Sequence, residues 1–226
     1  MLFVALIQVG ELIARKSIFD NSHLILLFFG FLFLGTARLF DSKIISFSFG
    51  TLVNFKTEVS FNDSVKIHPI GSFFLGLNFL FSSSLLFILA MGPIFHLKLT
   101  QYLFAFGLAT LILLVYLIGI YLVGFITSNF SGYTIGRLHN LNFIHVSGLV
   151  ALLIDLLWLF NAQWQSKFLI FAIFLFSVLF AIRLIKLTSY AFQEKISWYY
   201  LILYLCTLEI FPIYMFSHVF IKFFGA

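Results

Sequence analysis

The apolar residues of this 226-residue chain fall in blocks long enough to cross a bilayer, each bounded by polar or charged residues. A helix needs roughly 17 to 25 mostly apolar residues to span the hydrocarbon core. Six segments meet that measure: 24–40, 69–91, 102–126, 138–160, 168–185 and 198–221. The polar run "NSH" precedes the first, and "NAQWQSK" separates the fourth from the fifth. Within lipid the backbone must satisfy its own hydrogen bonds, so each block is either a helix or part of a closed barrel. A barrel would show alternating segments of about ten residues, and these blocks do not alternate. The expected architecture is an all-α, polytopic membrane bundle forming one domain over residues 1–226.

Composition narrows the partners. Charged residues make up 9% of the chain and hydrophobic residues 62%, whereas soluble domains carry about a quarter charged residues. The net charge of +5 does not indicate nucleic acid. Its Lys and Arg are scattered at segment ends, where they anchor helices to headgroups, and form no stripe. Membrane lipids and another membrane protein are the expected partners. The 34 phenylalanines identify no site, because lipid accepts any large apolar side chain. A single cysteine, Cys206, excludes an internal disulfide.

Two segments outside the spans have their own character. Residues 1–22 carry Gln8, Glu11, Arg15 and Lys16 and read as an interfacial amphipathic helix. Residues 41–67 mix apolar and charged side chains and read as a loop on the membrane surface. The opening "MLFVALIQVGELIARK" has no basic start and no small-residue cleavage site, so no secretory signal peptide is expected. With six spans, eight of the 13 Lys and Arg fall on the face that holds the 41–67 loop. The excess of positive charge places that face in the cytoplasm. No internal repeat supports an inverted-repeat transporter.

Two acids lie inside spans, Asp155 in the fourth and Glu209 in the sixth. Ionisable groups at membrane depth face the bundle interior or a wet cavity and mark candidate sites. Asp155 shares a helix face with Gly148, Ala151 and Ala162, small residues that let a neighbouring helix approach. That face is expected to meet protein. Glu209 shares its face with Trp198, Ile202, Leu205, Cys206 and Ile213, while Tyr200, Tyr204, Thr207 and His218 lie opposite. A helix polar on both sides suits the centre of a bundle or a protein interface. Pro212 removes the donor to the Leu208 carbonyl and favours a kink there. Glu209 then reads as a neutral carboxyl donating a hydrogen bond at the kink, or as part of a proton relay. Arg183 and Arg38 lie near span ends and read as snorkelling side chains, with an inward partner role as the alternative.

No catalytic set emerges. His139 and His145 sit about 120° apart around one helix, unlike an i, i+4 ligand pair. The remaining histidines, His23, His68, His96 and His218, fall near span ends. HExxH and GxSxG are absent from the sequence. The protein is expected to be no enzyme and to hold no metal or cofactor.

The segment "LYLCTLEIFP" resembles the C-terminal signature "LYLCxLEIxP" of a Bacteroidota membrane family called domain of unknown function 4271. Leu203, Tyr204, Leu205, Cys206, Leu208, Glu209, Ile210 and Pro212 carry the match. The resemblance implies a multi-pass protein of a Gram-negative inner membrane with no assigned activity. Two functions follow as expectations. One is a subunit or assembly partner of a cell-envelope or secretion complex. The other is a small proton- or ion-coupled transporter working through Glu209 and Asp155.

Overall fold

The protein was analysed as a computed structural model, which describes residues 21–53, 69–91, 98–127, 130–161, 164–193 and 199. Those residues form helices joined by short turns, with no strand among them. In chain order the helices are α1 (Asn21–Phe40), α2 (Ile44–Val53), α3 (Pro69–Met91), α4 (Lys98–Thr127), α5 (Phe130–Phe160) and α6 (Gln165–Gln193). Segments 21–40, 69–91, 140–160 and 167–186 are long and apolar enough to cross a membrane, and the part of α4 whose side chains are described is apolar over Leu99–Val115. The described chain is thus an all-helical bundle of membrane-protein character. The N-terminal segment 1–20, the second part of the 41–67 loop and the sixth expected span apart from Tyr199 lie outside the described residues.

The ends of the helices follow local chemistry. Pro69 opens α3, where its missing N–H is one the helix start would leave unbonded anyway. Asp41 stops α1: its Oδ1 accepts from the Lys43 N–H at 3.0 Å and its carbonyl from the Ile44 N–H at 3.2 Å. This Asx turn redirects the chain straight into α2. Asn161 closes α5 in the same spirit, its carbonyl accepting from the Trp164 N–H at 3.0 Å.

Side-chain pairs give the helix directions. Phe33 meets Phe74 and Phe29 meets Phe81, so α1 runs antiparallel to α3. Ser72 meets His145, and Phe79 lies against Gly148, so α5 runs parallel to α3. Trp158 stacks near Phe168 while Arg183 reaches Asn140, so α6 returns antiparallel to α5. The phenylalanines thus form a ladder of offset and edge contacts between α1 and α3, with Phe106 of α4 joining at Phe81. Centroid separations of 5.2 to 6.1 Å in that ladder suit aromatic pairs.

α5 is the axis of the bundle, contacting every other described helix. Its membrane-length window is 72% buried, against 17% for the windows of α1 and α6. Such a difference separates a central helix from helices whose outer sides face lipid. Gly148 makes the centre tight. A Cβ there would lie 2.8 Å from the Phe79 Cα and 3.0 Å from its N, so the backbones of α3 and α5 touch. Small residues are how membrane helices reach such distances.

The 41–67 segment brings one addition to the sequence reading. Its first part is the ten-residue α2, whose Ile44, Ser48, Thr51 and Leu52 are buried. These positions recur at helical spacing and pack on α1, α5 and α6, with Ile44 also reaching Leu75 of α3, so α2 closes one end of the bundle.

Candidate functional site

Of the polar candidates placed inside the spans, Asp155 and Arg183 are described, while Arg38 at the end of α1 is exposed. Glu209, Pro212, Tyr204, Thr207 and Cys206 lie outside the described residues. The two described residues occupy different levels of the bundle.

Asp155 is fully buried on α5. Neither carboxyl oxygen has a hydrogen-bond partner among the described residues. Its neighbours on α5, Leu152, Ile154, Trp158 and Leu159, belong to one apolar cluster with Leu27, Leu85, Leu89 and Ala172. The face it shares with Gly148 and Ala151 is turned inward, whereas Leu153 on the other side is 56% exposed. A polar band on α3 lies a little further along. Asn78 and Ser82 are buried, and the Ser82 hydroxyl donates to Asn78 Oδ1 at 3.2 Å. Ser83 and Ser84 turn their hydroxyls back on the Phe79 and Leu80 carbonyls, a bonding mode that satisfies a hydroxyl without a partner helix.

Arg183 corrects the snorkelling expectation. It is 4% exposed, and its Nε donates to Asn140 Oδ1 at 3.0 Å. Its guanidinium carbon stands 4.9 Å from the centroid of the Phe143 ring, a cation–π distance. Arg183 therefore turns inward, because α5 offers an acceptor and a ring at the depth where its head would otherwise need water. It is no counter-ion for Asp155. Asn140 and Asp155 are fifteen positions apart on one helix, about 22 Å at 1.5 Å per residue.

Around Arg183 the structure gathers polar side chains that sequence reasoning did not combine. Lys186, one turn along α6, is buried and donates to the Thr51 carbonyl of α2. Asn142 accepts from the Ser48 hydroxyl at 3.5 Å, and His145 Nε2 is 3.1 Å from Ser72 Oγ. Thr51, Asn140, Asn142, Phe143, Arg183 and Lys186 line a partly open cavity of about 20 Å³. The signal in sequence was "HNLNFIH", which sets Asn140, Asn142 and His145 within two turns at the start of a span. Read alone, that run looks like an ordinary polar boundary; its acceptors and donors come from segments far away in the chain.

Chemically, the bundle offers an isolated carboxyl at its centre and a cationic, amide-rich cluster at one end. Among the described residues no group of three or more His, Cys, Asp and Glu is placed to hold a metal.

No curated protein and no solved structure matches the chain. A family model described as Domain of unknown function (DUF4271) matches residues 23–220, from the first turn of α1 past the end of the described helices. With nearly the whole chain covered, the protein belongs to that family.

Proposed function

We propose that the chain is a non-enzymatic, multi-pass protein of a Gram-negative inner membrane, acting as a subunit or assembly partner of a cell-envelope or secretion complex. The observation that carries this reading is the closed centre of the bundle. At Gly148 the backbones of α3 and α5 meet, and Asp155, two turns further along α5, is the one buried acid among the described residues and is walled by apolar side chains. A core built this way serves as a scaffold, and recognition is left to its outer helices. The sixth span, polar on both sides in sequence, is the natural contact, through Tyr204 and Thr207 opposite Glu209. Purification of the tagged full chain in a mild detergent, followed by mass spectrometry, should recover a membrane protein at a fixed ratio near one to one. Tyr204→Phe combined with Thr207→Val should lower that ratio while leaving the chain's own yield unchanged. Loss of any fixed-ratio partner from the wild-type chain would overturn the assignment.

A second reading rests on Asp155 itself. A buried carboxyl with no partner on either oxygen is also what a proton carrier needs. Asp155→Asn and Glu209→Gln keep shape and hydrogen bonding but cannot exchange a proton at neutral pH. Under this reading both variants assemble normally and lose function in a complementation assay; under the scaffold reading both complement.

Orientation follows the charge bias, with the α2 end of the bundle in the cytoplasm. Single cysteines at Ser60 and Ser166, in a Cys206→Ser background, test it. An impermeant reagent outside spheroplasts should label position 166 and spare position 60, and the reverse pattern would invert the topology.

A further inference from the structure

Arg183 and Lys186 carry two positive charges into the bundle, both buried and one turn apart on α6. They do not sit at the helix end. α6 continues to Gln193, so Arg183 lies about 15 Å inside it. Asn140, Phe143 and the Thr51 carbonyl orient the two cations and are themselves neutral. Neutral acceptors fix the geometry of a buried cation, whereas an acid also cancels its charge. Asn140 takes the Nε–H of Arg183, and the two Nη groups form the fork that fits a carboxylate.

Two of the chain's eight acids fall inside expected spans. Asp155 is too far, about 22 Å along α5 from the Asn140 that holds Arg183. Glu209 is placed by the register of the chain itself. α6 ends at Gln193 and Tyr199 is again helical, so five residues, 194–198, join the two. A connection that short makes neighbouring helices antiparallel. Arg183 is ten residues before Gln193, and Glu209 is ten residues after Tyr199. Both then lie about 15 Å from the turn, at one depth.

The faces agree with the depth. Glu209 shares its side with Ile202, Leu205, Cys206 and Ile213, an apolar strip around one acid. Its counterpart on α6 is an apolar strip around one cation, since Leu179 and Ile182 flank Arg183. We propose that segment 198–221 seats antiparallel on α6 with the Glu209 carboxylate on the Arg183 guanidinium and Lys186 adding a second positive charge nearby. The proposal deepens the scaffold reading, on which it rests for the outward role of Tyr204 and Thr207, and it says why Glu209 points the other way. The ion pair itself needs no partner protein, so the two readings can fail separately.

A double-mutant cycle on the full chain in detergent tests the pair. Arg183→Met and Glu209→Met each strand a buried charge and should each lower the melting temperature by about 6 °C or more. The double variant should lose clearly less than the two single losses combined. Glu209→Gln keeps an acceptor for the guanidinium and should lose less than Glu209→Met. Glu194→Gln, which removes the acid at the turn, should leave the melting temperature unchanged. Additive losses from Arg183→Met and Glu209→Met would overturn the proposal, and so would coupling of Arg183 to Glu194 in place of Glu209. Cross-linking checks the register with the pair intact. In a Cys206→Ser chain, Leu179→Cys with Ile213→Cys, one turn beyond the pair on each helix, should be joined by a short bis-maleimide. Leu179→Cys with Tyr204→Cys should not. Absence of the first link, or the reverse pattern, would overturn the proposal even where the charge variants do not fold. A coupled pair in a chain that recovers no fixed-ratio partner would remove the scaffold reading and leave the ion pair standing.

Discussion

The middle and the α2 end of this bundle bury polar side chains in opposite ways. In the middle, Asp155 is enclosed by leucines and a tryptophan, and its oxygens bond to nothing described. At the end, Arg183, Lys186, Asn140, Asn142, Ser48 and Thr51 are almost as deeply buried but tie α2, α5 and α6 together. Burial alone therefore does not say what a polar group contributes. A networked group leaves its partners stranded when removed, whereas an isolated group leaves only a space. The two regions should answer substitution with different signs, and that difference is measurable.

The largest effect is expected where the backbones touch. Gly148→Leu has no flexible side chain to push aside, because the nearest atoms are the Cα and N of Phe79. α3 and α5 must separate, costing about 1 to 3 kcal/mol or more. Leu153→Ala, on the exposed side of the same helix, should change the melting temperature in detergent far less. Equal tolerance of the two would mean that the centre is not close-packed, and the contrast between the regions would lose its basis.

Next comes the network. Asn140→Leu removes the acceptor of the Arg183 Nε–H within a buried site. Hydrogen bonds to charged groups are worth about 1.5 to 3 kcal/mol, and a comparable loss of stability is expected. The double variant Asn140→Leu with Arg183→Met should lose less than the two single variants taken together. Additive losses would show that these two side chains are not coupled, against the 3.0 Å bond.

Gly30→Ala is a milder probe of the middle. The added methyl would lie 2.7 Å from Leu152 Cδ1, the far end of a side chain that can turn away. A loss of about 1 kcal/mol is expected, below that of Gly148→Leu. A larger loss would mean that Leu152 is pinned by its cluster and that α1 is as rigidly seated as α3.

How far the sequence foretold these regions depends on the range of the interactions. Segment 69–91 was legible to the residue, since Pro69 and the "GP" after Met91 punctuate it. The helices around 102–126 and 168–185 run longer than their apolar windows, to Lys98–Thr127 and Gln165–Gln193. Twenty-nine residues make about 43 Å, more than the roughly 30 Å of hydrocarbon, so helix ends continue into the headgroup layer where hydropathy carries no signal. Asp155 was legible because small residues at i−4 and i−7 mark a packing face within one helix. The cationic cluster was not. Thr51 and Lys186 are 135 residues apart, and Asn140 and Arg183 are 43 apart. Local periodicity holds no trace of such pairs, so Arg183 read as a snorkelling end.

The smallest change in stability is expected at Asp155, and its sign is the sharpest test of the comparison. The carboxyl sits among Leu152, Ile154, Trp158 and Leu159 and makes no hydrogen bond to a described group. Replacing an unsatisfied buried polar group with an apolar one of similar shape is near neutral or stabilising. Asp155→Val should therefore melt at or slightly above the wild-type temperature, while Asn140→Leu melts below it. A clear destabilisation by Asp155→Val would show that the carboxyl has a partner after all, and the middle would join the α2 end as a network. If stability holds, function decides why the acid is there. A stable Asp155→Val protein that still assembles but fails to complement, with Asp155→Asn failing in the same way, would favour proton handling, because the amide keeps the hydrogen bonding and loses only the exchangeable proton. A stable variant that complements in full would leave the scaffold reading, with Asp155 a group the packed centre tolerates.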